Sequence, residues 1–174
     1  MDPTPLPAFS REYADATLAA LGDRPRDEAE QHVVECLKLL VLASAHPDLV
    51  IASSPELDSV WRALAAQTPS YLKLCARLPG GRLSTRRVPG WDPDGAEPTS
   101  DESARLVGLY VQSFGPFTPR SALLWPAARH VMVELRIGLS GLNDFGGGWD
   151  SGWSLPAGSP WRQLGDVLRI SELT

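Results

Sequence analysis

The sequence predicts a mainly α single domain of five or six helices, followed by an irregular Gly/Trp-rich C-terminal segment. Three observations predict it. Val33, Leu37, Leu40, Val41 and Ser44 recur at i, i+4, i+7, i+8 and i+11, one stripe of a 3.6-residue period. Between Ser54 and Cys75 two shorter stripes follow, separated by a Thr-Pro joint. The 16 prolines and 15 glycines fall mostly between stripes, where they punctuate elements. A chain of 174 residues suits one domain and buries roughly 70% of the surface its unfolded form exposes. It divides into an N-terminal arm and first helix over 1–24, a helical core over 25–138 and a Gly/Trp-rich cap over 139–174.

Residues 1–9 hold three prolines and predict an extended arm. Ser10 suits an N-cap, Tyr13, Ala16, Thr17, Ala20 and Leu21 have helical spacing, and Gly22 closes the helix. Pro25, Asp27, Glu28 and Glu30 favour the start of the long helix, which His46-Pro47 ends. Its stripe, widened by Val34 and Leu42, makes this helix central. Leu49–Ala52 reads as a buried extended link. Ser53-Ser54 and Pro55 open the next helix, with Leu57, Val60, Trp61 and Leu64 on one face. Thr68-Pro69 breaks it, a further helix carries Tyr71, Leu72, Leu74, Cys75 and Leu78, and Pro79-Gly80-Gly81 ends the pair.

From Arg82 to Glu102 the pattern is that of a loop. Ser100, Asp101 and Glu102 then cap a helix with the stripe Leu106, Leu109, Tyr110 and Ser113, stopped by Gly115-Pro116. Val131, Val133, Leu135 and Ile137 alternate with polar residues, which favours an extended segment over residues 127–138. The rival helical spacing Ala127, Val131, Leu135, Gly138 stays open. The tail reads LNDFGGGWDSGWSLPAGSPW, and its glycine run argues against a helix.

A net charge of −5 argues against general nucleic-acid or membrane-surface binding. The N-terminus has no basic and apolar signal-peptide regions, and no apolar run reaches about 18 residues. Cys36 and Cys75 fall inside helical patterns, as buried thiols of a cytoplasmic protein do. Fourteen of the 16 basic residues are arginine, the bias of a GC-rich bacterial genome. A soluble, cytoplasmic protein is expected.

The order of these features is itself informative. The stretch CLKLLVLASAHPDLVIASSPELDSVWRALAAQTPSYLKLCARLPGGRL joins a long helix ending in His-Pro to D-x-x-W, T-x-x-Y-x-x-x-C and a glycine-arginine turn. With the later LYVQSFGPFTPRSALLW, it resembles the bacterial part of the glycine-rich-domain-containing-protein-like family, over most of residues 30–126. The resemblance implies a helical fold and a site near Trp61. Relatives place histidines after the tryptophan and two residues further on, where this chain has Arg62 and Leu64. After the glycine-arginine turn it has Ser84, Thr85 and Arg86 in place of a histidine pair. If those histidines bind a metal in relatives, this chain has lost the ligands.

His32, His46 and His130 share no ligand spacing, so no metal and no cofactor is expected. The Arg77, Arg82, Arg86 and Arg87 patch suits a phosphate, carboxylate or acidic partner, or a solvated loop. Six tryptophans are many for this length. Trp61 and Trp125 sit in helical patterns, whereas Trp91, Trp149, Trp153 and Trp161 lie among Gly and Pro, where indoles line pockets or fold a tail over a core.

Two functions follow. In the first, Trp61, Arg62, Tyr71, Arg82, Trp149 and Trp153 bind a small molecule, peptide or protein partner. In the second, Asp58, Arg62 and Tyr71 serve a cofactor-independent enzyme of a specialised bacterial biosynthetic pathway. A buried Arg62–carboxylate pocket would favour the enzyme, and an open aromatic surface or a two-fold interface would favour binding. The oligomeric state stays open.

Overall fold

The structure, a computed structural model, describes residues 9–81, 98–150, 152, 153, 155 and 158–164. Eight α-helices and one 3-10 turn make up the described residues, without a strand among them: α1 Arg11–Ala20, α2 Arg26–Ala45, α3 Pro55–Ala66, α4 Thr68–Arg77, α5 Ser100–Phe114, α6 Pro119–Leu124, α7 Pro126–Leu135, α8 Leu139–Gly148 and the 3-10 turn Pro160–Gln163. The mainly α single domain is the predicted class. The helix number exceeds the expected five or six because the chain from 119 to 148 winds into three helices.

Local chemistry explains most boundaries. Ser10 caps α1 by accepting the Tyr13 N–H, and Gly22 takes the left-handed conformation beyond its end. Ser54 caps α3 through the Leu57 N–H, with Pro55 in the first turn. The cap of α5 is Thr99, one residue before the expected Ser100, in a reciprocal box with Glu102. Gly115 ends α5 at φ 88°, ψ −172°, a conformation open essentially to glycine alone.

The helix α2 is central. Over its 20 residues, Val33, Cys36, Leu37, Leu39, Leu40, Val41 and Leu42 are all fully buried. Each buried leucine stabilises by about 1.5–3 kcal/mol relative to exposure. Against α2 pack α1 and α3 (α3 in turn carrying α4), and also α5 and α6. Beyond these, α7 and α8 lie on α5. The link Leu49–Ala52 is irregular, with Leu49 and Ile51 buried. No helix among the described residues is long and apolar enough to cross a membrane.

Two expectations are corrected. Residues 126–135 are helical, because Trp125-Pro126 opens a new helix and Ala127, Ala128 and Val131 form its buried face. The alternating Val133 and Leu135 that suggested a strand are 78% and 49% exposed, so they line no buried sheet face. The glycine run also lies in a helix. In α8, Leu142 and Gly146 face inward, and a Cβ on Gly146 would come within 2.6 Å of Val111 on α5. Likewise a Cβ on Gly108 of α5 would meet the Trp149 side chain at 2.5 Å. Glycine permits this close approach, and the packing overrides its poor helix propensity. Asn143 pins α8 further, accepting the Phe117 N–H at 2.7 Å and donating to the Phe117 carbonyl at 3.0 Å.

Candidate functional site

The predicted site residues fall in separate places. Asp58, Trp61, Arg62 and Tyr71 gather on α3 and α4, because Thr68-Pro69 turns the chain and lays one helix beside the other. The Trp61 indole N–H donates to the Tyr71 hydroxyl at 2.9 Å, which fixes the half-buried indole. Tyr71 itself is fully buried. Burial, the largest cause, pushes its phenol far above the ordinary range, against the opposing pull of the Trp61 hydrogen bond. It therefore stays protonated at any physiological pH.

Beside this pair, the Arg62 Nε donates to the Asp58 carboxylate at 2.8 Å, across one helical turn. The pair is lopsided: the Arg62 side chain is 69% exposed and that of Asp58 only 15%. Asp58 faces inward toward Cys36, whose thiol is pushed up by complete burial and then by this carboxylate. Cys75 is likewise buried and raised. Neither thiol has the exposed, electropositive setting that makes a nucleophile.

Trp149 lies against Gly108 of α5 and beside Phe145, with ring centroids 5.9 Å apart. Trp153 stands edge-on to His46 at the end of α2, at 4.4 Å. Arg82, with the rest of the basic loop and Trp91, lies outside the described residues. Among the described residues, no three His, Cys, Asp or Glu side chains are grouped to hold a metal ion.

On the other side of α2 the structure holds a polar node that the sequence reading missed. Glu35 is 3% exposed. Its carboxylate accepts the Trp125 indole N–H at 2.8 Å, the Tyr110 hydroxyl at 3.0 Å and the Lys38 ammonium at 2.7 Å. Lys38 also donates to the Tyr110 hydroxyl at 2.8 Å and stands 4.9 Å from the centre of the Tyr110 ring. Phe117 stacks on Tyr110 at 3.8 Å, and Trp125 meets it edge-on at 5.1 Å. Burial and the adjacent Glu35 raise the Tyr110 phenol strongly. The available signal was Glu35 and Lys38, three residues apart, on a helix otherwise read as apolar along much of its circumference.

No family model, curated protein or solved structure matches the chain.

Proposed function

We propose that this chain is a divergent member of the glycine-rich-domain-containing-protein-like family that works as a non-metal binding or accessory protein. The site is centred on Trp61 and Arg62, with Tyr71 as its buried support. What carries the reading is the lopsided Asp58–Arg62 pair beside a fixed indole. The largely shielded carboxylate aims a guanidinium that is itself largely in solvent, next to an indole held by its hydrogen bond to Tyr71. Such a rigid Arg/Trp pair recognises a carboxylate, phosphate or aromatic group on a small molecule, peptide or protein. The family assignment rests on the resemblance, and of the residues that carry it those on α2, α3 and α4 pack in sequence, α2 on α3 and α3 on α4.

The enzyme reading is less well supported. It asks for Arg62 enclosed with a carboxylate, whereas Arg62 is open to solvent. It also asks Tyr71 for proton transfer, and that phenol is buried and held protonated.

Native mass spectrometry of the untagged protein, compared with its denatured mass, tests the proposal. A retained organic molecule that is lost in Arg62→Ala, with the melting temperature unchanged, supports the site. A doubled mass that Arg62→Ala halves identifies the partner as a second copy. Retention or dimerisation indifferent to Arg62→Ala removes the site assignment, and bound metal overturns the non-metal reading.

A further inference from the structure

His46 caps the C-terminus of α2, and its ring stands edge-on to Trp153 at an interplanar angle of 85°. Its Nε2 is buried and has no hydrogen-bond partner. Two other charged groups face the ring: Asp48, two residues on, and Arg105 of α5, which are ion-paired to each other at 2.9 Å. Asp48 favours a proton on His46 and Arg105 opposes it. The carbonyl end of α2 favours it as well.

We propose that the contact between His46 and Trp153 is a proton-sensitive latch, closed when the imidazole is neutral and released when it is protonated. The geometry carries the argument. A neutral imidazole leaves Nε2 as a bare acceptor, which costs less than an unpaired N–H on a charged ring. A protonated one must place an N–H at both ring nitrogens, and the buried Nε2 has no acceptor to meet it, so the charged ring gains by turning out toward water. Burial, more than Arg105, already holds the His46 pKa below its ordinary value. The sign follows: above the unfolded value of about 6.5 both states are neutral and the latch keeps its full stability. As pH falls through that value toward the folded one, protonation favours the open state and stability is lost. Leu155, Trp161 and Leu164, beyond Trp153, are buried in the core, and their burial would keep the release local. The latch does not depend on the proposed binding site.

The chain has three histidines, so a proton NMR titration of the whole protein between pH 4.5 and 8.5 reads the latch directly. His46 is assigned by its loss in His46→Phe, and the Trp153 indole N–H by its loss in Trp153→Phe. The expected result is a His46 midpoint below 6.5, with the Trp153 indole signal moving at that same midpoint. In His46→Phe, which keeps a ring against Trp153, that movement disappears. A His46 midpoint at or above 6.5 overturns the proposal, since protonation would then tighten the contact. A Trp153 signal that ignores the His46 titration, or that titrates unchanged in His46→Phe, overturns it too.

Discussion

The two sides of α2 hold polar groups in opposite ways. Toward α5 and α6, Glu35 lies in the core with three donors on its carboxylate, and Lys38 and Tyr110 satisfy each other as well. Toward α3 and α4, Asp58 is shielded while its partner Arg62 reaches into water, and the Trp61 indole is locked but half uncovered. The first arrangement is nearly closed, with Glu35 buried and the Lys38 side chain only 15% exposed. The second ends at the surface. Buried charge of the saturated kind fixes how elements sit, and half-exposed charge on a rigid support is available to meet something else.

This contrast can be broken from either end. Glu35→Ala should be the most damaging change, because it leaves the Trp125 N–H and the Tyr110 hydroxyl without this acceptor and the Lys38 ammonium without its carboxylate partner. A loss of about 3–5 kcal/mol is expected in denaturant unfolding. Trp125→Phe removes one donor to the same carboxylate and should cost about 1.5–3 kcal/mol by the same measurement. On the other side, Tyr71→Phe removes the hydroxyl that accepts the Trp61 N–H and should cost about 1–2 kcal/mol, with a shift in tryptophan emission as the indole loosens. Arg62→Ala should change stability by no more than about 0.5 kcal/mol, since one partner of its ion pair is exposed. If Arg62→Ala instead destabilises as much as Trp125→Phe does, the two sides are alike and the α3–α4 surface is structural.

The helices from α1 to α5 were legible because caps, prolines and apolar stripes agreed over whole turns. Ser10, Ser54, Thr68-Pro69 and Gly115 each act locally, so they can be read locally. Two kinds of feature could not be read this way. In 126–135 a strand period and a helix period coexisted, and only the exposure of Val133 decides against the first. In α8 the helix exists through contact with α5, at Gly146 against Val111, which no local pattern announces. The Glu35 node was hidden for a related reason: apart from Lys38, its partners come from positions 75 and 90 residues further along the chain. Asp58, Trp61, Arg62 and Tyr71 lie near one another because α3 and α4 are contiguous. Trp149 and Trp153 were assigned to the same surface on composition alone, and the structure puts them against α5 and the end of α2.

The glycines of α8 have a consequence for motion. Four of its ten residues are glycine, a composition that weakens an isolated helix by roughly 3–4 kcal/mol against alanine. Alone, the segment would be coil. Its hydrogen bonds persist only while α5 and Asn143 hold it down, so undocking and unwinding are a single event for this helix. Its amides should exchange with deuterium well before those of α2, in one cooperative step that exposes Val107 and Val111 of α5 while the centre of the molecule stays folded.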